Sequence, residues 1–363
     1  MFDPEKRAEL LRPKMMKDGK YLISKIVGSG EEVNKDEKRI AYATYFKFKW
    51  YIDKPELLSL SSKELWSPKF VGIVKNPTSV NLRNVKKLEF QNPPYSAAFR
   101  LKGKNGSPKD YNRSFVVQVS GCDYACNYCY VPPETNACEK NFGKYFSIKE
   151  IIDCFLKARK EFTEPINVIR ITGGETTIIP EVILDIYSEM EKIEGTYLWI
   201  DTNLSTTKYL ERLEDDLKNI MQKRNVGVVG CFKGVDKNDF SLITGAEEKF
   251  YDNQFETAKL FLNWKTDFYV YLPALIYENN IENKIDDFIK KLQNLNKNLP
   301  LRVEVLIIKE YPAAVRNMEL KAKECRPMPK TDQRVFFDLW YNKLLPKYYS
   351  KDMLRKFCCE IPL

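Results

Sequence analysis

From Ser114 onward two hydrophobic rhythms alternate along the chain. Short β-branched and aromatic runs at 115–119, 167–172, 196–202, 226–232, 267–276 and 301–308 read as strands. Between them, amphipathic stretches at 148–162, 180–193, 208–224, 253–264 and 281–295 have helix length. Six strands joined by five helices are the signature of repeated β-α units around a parallel sheet. In barrel-like α/β folds, side chains from several strands converge where strands end and loops begin, so chemistry is expected there.

The flanks lack this rhythm. Up to Asp110 the pattern is irregular, with turn clusters at 76–78 and 91–94 and an aromatic run at 42–51. In that run Lys47 and Lys49 alternate with Phe46, Phe48 and Trp50, a strand period with one wet face. A half-buried strand of a small β-rich segment is the first reading, and a base-stacking platform the second. Residues 102–109 read as a basic loop, and the stretch from Pro312 to Pro329 is Pro-rich and leads into a helix at 331–345. Three units follow: a basic, mostly-β extension at 1–110, an α/β core at 111–310 and a helical C-terminal extension at 311–363.

Charge sharpens that division. The net charge is +9, and residues 1–120 carry 24 Lys and Arg against 13 Asp and Glu, whereas the remaining 243 hold 35 against 37. A basic appendage on a near-neutral core suits an anionic macromolecule such as RNA, or else a solvated Lys-rich surface. No apolar run approaches the roughly 20 residues needed to span a bilayer, and the first residues lack the apolar core of a signal peptide, so a cytoplasmic protein without membrane contact is expected. Nine cysteines at irregular spacing favour metal binding over a disulfide framework in a reducing compartment. The chain has no histidine, which removes imidazole as ligand or acid/base and makes a zinc hydrolase a poor reading.

Three of the cysteines, Cys122, Cys126 and Cys129, lie in one loop directly after the first core strand. Three thiolates on an iron–sulfur cube leave one iron without a protein ligand. Three clustered cysteines also suit a zinc site with a distant fourth ligand, or reduced thiols in a loop. The Cys-x3-Cys-x2-Cys spacing, with Tyr128 before the last cysteine, resembles the cluster motif of the radical S-adenosylmethionine (radical SAM) superfamily. After the second strand, Thr172-Gly173-Gly174-Glu175 resembles that family's Gly-Gly-Glu motif; two glycines at a strand end let a ligand approach the backbone. The third strand ends Asp201-Thr202-Asn203, similar to a segment of glycyl-radical-enzyme activating enzymes (the pyruvate formate-lyase activating enzyme-like branch), which continue with Gly where this chain has Leu204. The fourth ends Cys231-Phe232-Lys233, where that branch has Asp-x-Lys.

The resemblance spans residues 114–308 and implies a partial (β/α)6 TIM-like barrel of the radical SAM type. It implies a [4Fe-4S] cluster on Cys122, Cys126 and Cys129, and S-adenosylmethionine (SAM) chelated at the open iron. It also implies that Tyr128, Thr172, Gly173, Gly174, Glu175, Asp201, Thr202, Asn203 and Lys233 are contacts of SAM. The implied activity is reductive cleavage of SAM to a 5′-deoxyadenosyl radical that abstracts hydrogen, in an oxygen-sensitive enzyme served by a one-electron reductant such as ferredoxin or flavodoxin. Cys231 shares a strand face with Lys233 and reads first as a core residue, second as a hydrogen donor beside the radical. Cys325, Cys358 and Cys359 do not match the usual auxiliary-cluster spacing, and Cys138 and Cys154 have no evident role. Three roles rank in this order: a modifying enzyme acting on RNA or another large anionic substrate, an activase making a glycyl radical on a partner protein, and a non-catalytic iron–sulfur or electron-transfer protein.

Overall fold

The computed structural model describes residues 1–24, 71–75, 94–103, 106–111, 113–139, 142–161, 165–277, 280–306, 308, 312–326, 329 and 333–363. Among the described residues ten strands form one sheet: β1 (Met16–Lys17), β2 (Lys20–Ser24), β3 (Val71–Lys75), β4 (Arg113–Val119), β5 (Gly143–Phe146), β6 (Val168–Gly173), β7 (Tyr197–Thr202), β8 (Val226–Cys231), β9 (Phe268–Pro273) and β10 (Val303–Leu306). From β4 through β6, β7, β8 and β9 to β10 every pairing is parallel, so the six strands read from the sequence form a partial (β/α)6 barrel. Strands covered on both faces read as near-continuous apolar runs. Ile169, Ile171, Leu198 and Ile200 are accordingly fully buried, and Trp199 stacks on Tyr269 with ring centroids 5.5 Å apart.

The outer edge of β4 is extended by antiparallel strands. β3 pairs along Arg113 to Val117, β2 takes over at Val119, and β5 pairs with β2. At the other edge, the Tyr341 hydroxyl accepts from Val305 N (3.0 Å) and donates to the Val303 carbonyl (3.2 Å), covering backbone groups of β10 that a sheet edge would leave unpaired. Below the barrel Arg302 pairs with Asp267 at 2.7 Å, and its Nε donates to the Ile361 carbonyl at 2.9 Å. The Tyr197 and Tyr269 hydroxyls also donate to Asp267, so this buried charge pair is hydrogen-bonded from several sides.

Several elements differ from the sequence pattern. Alongside β1, β2 and β3, the described residues before 110 include two helices that the sequence pattern did not show, Pro4–Met15 and Pro94–Lys102. The first is set by its cap: the Asp3 carboxylate accepts from the Glu5 and Lys6 N–H groups at 2.9 and 3.1 Å, and Pro4 occupies the first turn. The helix expected at 208–224 is interrupted, forming Lys208–Glu211 and Glu214–Met221. An additional helix, Lys237–Thr244, starts at Asp236, whose side chain accepts from Asp239 N, and stops at Gly245 with φ +78°. The Pro-rich stretch opens with a helix, Pro312–Lys323. The helix expected at 331–345 is Gln333–Asp338, continued by a wider π turn at Leu339–Leu344. The aromatic run at 42–51 and the turn cluster at 76–78 lie outside the described residues. Among the described residues no helix is long and apolar enough to cross a membrane.

Candidate active site

The loop carrying the three cysteines leaves the C-terminal end of β4 and is fixed by backbone bonds to distant elements. Ala125 N and Asn127 N donate to the carbonyls of Thr244 (3.0 Å) and Ile243 (2.9 Å), which a helix C-terminus leaves without internal partners. Cys122 N donates to Asn136 O at 3.0 Å, and Cys129 N to Cys126 O at 3.2 Å. The Asn127 side chain donates to the Tyr277 hydroxyl.

The loop faces a cleft whose empty space, mouth included, is about 810 Å³. All three cysteines line it, together with Tyr128, Thr172, Gly173, Gly174, Glu175, Asp201, Thr202, Asn203 and Lys233. Every site residue picked from the sequence therefore lies on one surface. Arg170, Cys231 and Tyr271 line it as well.

Opposite the thiols, the end of β6 is packed as closely as a backbone allows. Gly174 N donates to Val119 O at 2.8 Å and Glu175 N to Gly121 O at 2.6 Å. A Cβ on Gly174 would sit 1.8 Å from the Gly121 carbonyl oxygen, and Gly173 holds φ +112°. The two glycines thus bring β6 against the residue that precedes Cys122.

Glu175 is buried at 1% exposure. Its Oε1 accepts from Thr177 N (2.9 Å), Thr177 Oγ1 (2.6 Å) and Thr202 Oγ1 (2.7 Å), and its Oε2 from Asn203 N (2.6 Å). Burial, then the neighbouring Asp123, push its carboxyl up to about 7 against these donors. Asn203 reaches both ways: its Nδ2 donates to Asp123 Oδ1 at 2.8 Å and lies 3.6 Å from Cys122 Sγ. Thr202 and Asn203 are therefore tied into the frame of the site. Leu204, where the activating enzymes have Gly, takes the left-handed conformation at φ +62° and buries its side chain against Gly230. The backbone course that glycine adopts freely is here held by core packing.

Asp201, on the opposite face of β7 from Thr202, accepts from Arg170 Nε (2.9 Å) and Nη2 (2.6 Å), both on Oδ2. Lys233 Nζ donates to the Tyr128 hydroxyl at 3.2 Å and lies 5.5 Å from that ring's centroid. Burial opposes its charge, but Tyr128, Cys231 and Cys126 hold Lys233 protonated. Cys231 does line the cleft beside it, and burial pushes its thiol up to about 12.

Sequence reading missed Asp123 and Arg170. Both had local signals: Asp123 sits between two loop positions of the motif, and Arg170 lies two residues before Thr172, on the same strand face. Neither signal names a partner, since Arg170 meets Asp201 across strands and Asp123 meets Asn203 across 80 residues.

The donor set fits an iron–sulfur cluster. Burial raises the thiols of Cys122, Cys126 (to about 11) and Cys129, so they are protonated here, and a metal binds them by displacing those protons. N–H donors are already aimed at sulfur: Val131 N at 3.4 Å and Asn136 Nδ2 at 3.6 Å on Cys129, and Asn203 Nδ2 on Cys122. Among the described residues, no three Cys, Asp or Glu side chains group as ligands of a single metal ion. Cys325 is exposed, Cys358 and Cys359 are buried, Cys138 packs near Gly121, and Cys154 is buried in the helix Ile148–Glu161.

Residues 116–229 match the model of the Radical SAM superfamily. The pyruvate formate-lyase-activating enzyme of Clostridium pasteurianum is 24% identical over 225 residues, covering 60% of this chain and 86% of that protein. The protein of the same name from Streptococcus mutans is 24% identical over 199 residues, covering 50% and 68%. The crystal structure of Streptococcus suis SuiB bound to S-adenosylmethionine aligns with a TM-score of 0.44 at 17% identity, over 64% of this chain and 46% of that one. Residues 116–229 thus form a radical SAM superfamily domain, and the protein is an enzyme whose cofactors are S-adenosylmethionine and a [4Fe-4S] cluster. Within the superfamily it is related to the branch of the glycyl-radical activases.

Proposed function

We propose that this enzyme abstracts a hydrogen atom from a partner protein. The observation that carries the reading is one cleft in which three thiols of a single loop face the Gly173-Gly174 backbone, Glu175 and Lys233. When bound, the cluster and SAM supply reductive cleavage to methionine and a 5′-deoxyadenosyl radical.

The chain's own residues bind and orient. Cys122, Cys126 and Cys129 hold the cluster. The backbone of Gly173 and Gly174, which lines the cleft, receives the methionyl group, and Glu175, with one acceptor site left on Oε2, faces its ammonium. Asp201, Thr202 and Asn203 supply polar contacts or hold those that do. Lys233, kept protonated, meets a carboxylate, and Tyr128 orients it. Such positioning, with water shut out by the barrel walls, is how this scaffold lowers the barrier. Residues 1–110 serve as a docking segment, 111–310 as the catalytic unit and 311–363 as its C-terminal brace. A small one-electron carrier such as flavodoxin or ferredoxin is the reductant.

The curated relatives, named as activators of an enzyme, favour a protein substrate. One observation favours RNA: the 24 basic against 13 acidic residues before position 121. The two readings separate cleanly, since RNA binding weakens steeply with added salt.

Anaerobic reconstitution with iron and sulfide, then reduction, tests the chemistry. Wild type is expected to form 5′-deoxyadenosine from SAM, and Cys126→Ala to form none. Reduced protein with a full cluster but no cleavage favours the non-catalytic carrier. A radical signal on a co-incubated partner protein identifies the activase.

A further inference from the structure

The helix Pro312–Lys323 and the residues just after it lie outside the matched superfamily region, yet they hold the cysteine loop directly. Asn317, only 3% exposed, spends both hydrogens of its amide on that loop: Nδ2 donates to Cys129 O at 2.7 Å and to Val131 O at 3.0 Å. Those carbonyls bracket the turn in which Val131 N points at Cys129 Sγ. Only a side-chain amide or a cation provides two donors here; a carboxylate would set oxygen against oxygen.

Two further contacts anchor the same segment. Arg326, 6% exposed, donates from Nη1 at 3.3 Å to the carbonyl oxygen of Ala125, the residue directly before Cys126. It lies against Gly245, where a Cβ would come within 2.5 Å of Nη1. Arg316 pairs with Glu134, in the turn whose Asn136 contacts Cys129. Three side chains of residues 312–326 thus grip three places around the thiols.

We propose that residues 312–326 are a positioning strap for the cluster, and that Asn317 is the positioning residue that sets its reduction potential. By fixing the turn at residues 129–131, Asn317 keeps the Val131 N–H directed at the Cys129 sulfur. A hydrogen bond to a cluster sulfur withdraws negative charge and favours the reduced state. By tying down the carbonyls of Cys129 and Val131, Asn317 also restrains the turn from opening, so losing it speeds loss of iron. The inference rests on the assignment of a cluster to these cysteines.

The test uses the full chain, anaerobically reconstituted, as wild type, Asn317→Asp and Asn317→Ala. Midpoint potential is read by redox titration followed by electron paramagnetic resonance, and iron loss by a ferrous chelator. Asn317→Asp, which also adds negative charge, is expected to raise the oxidised-to-reduced ratio at fixed poise about tenfold, a fall of about 59 mV for one electron. Iron loss is expected to quicken about tenfold, at the low end for lost outer-shell partners. Asn317→Ala is expected to shift both readouts the same way by less, so the inference stays testable if the aspartate variant does not fold. Variants with full iron, wild-type potential and wild-type iron retention overturn the proposal. Wild type that takes up no iron overturns the cluster assignment instead, and the two failures are distinct.

Discussion

Gly174→Ala probes the contact on which the cleft depends. The added Cβ would lie 1.8 Å from the Gly121 carbonyl oxygen, more than 1 Å inside the roughly 3.5 Å of ordinary contact. That oxygen is backbone, so no rotamer change relieves the overlap. β6 and the cysteine loop must separate, and the bond from Glu175 N to Gly121 O at 2.6 Å is lost. Overpacking a dense interior costs about 1–3 kcal/mol, and a broken backbone bond about 1 kcal/mol more. A loss near 3 kcal/mol is expected in urea denaturation of the metal-free protein. Because Gly121 precedes Cys122, the shift also displaces the first thiol, and reconstituted Gly174→Ala should hold less iron than wild type. A variant as stable as wild type with a full complement of iron refutes the reasoning, since it would mean that the end of β6 and the cysteine loop have room to spare.

Two further substitutions follow from buried charges. Asp201→Ala removes two hydrogen bonds from Arg170, whose side chain is 6% exposed, and is expected to cost about 3 kcal/mol, the low end for one side of a buried pair; less than 1 kcal/mol in urea denaturation contradicts the geometry. Glu304, buried on β10 at 4% exposure, has its carboxyl pushed up by burial to about 8, with Arg170 pulling the other way. The folded state therefore binds the proton more tightly than the unfolded one. The stabilisation is complete below the ordinary carboxylate value near 4.5 and is lost as pH rises through about 8. Glu304→Gln should flatten this loss, gaining on the order of 3 kcal/mol over wild type at pH 9 and little at pH 4.5, by urea denaturation at the two pH values. Equal pH dependence of the two proteins sinks the assignment.

The parts legible in the chain were those with strong local signals. Strands β6 to β9 stand out because both faces are covered, which demands unbroken apolar runs, and Ile281–Leu295 matches its sequence reading end to end. Pro4–Met15 escaped because it is rich in Lys, Arg and Glu and carries Pro13 near its end. Pro312–Lys323 escaped because prolines were read as irregular, although a proline in the first turn needs no N–H partner. The cap signals of Lys237–Thr244, Asp236 and Gly245, were present but bound too short an apolar pattern to stand out.

By itself the sequence determined the order of β-α units, the three thiols in one loop, the glycine pair after a strand and the absence of imidazole. Those are local facts, fixed by which side chains follow one another. Tertiary structure alone decided that Arg170 neutralises Asp201, that Asn203 links Asp123 to Glu175, and that Asn317 closes over the carbonyl of Cys129 from 188 residues away. Hydrogen bonds and buried charges have ranges of a few ångströms, and only folding brings residues so far apart in the chain within that reach.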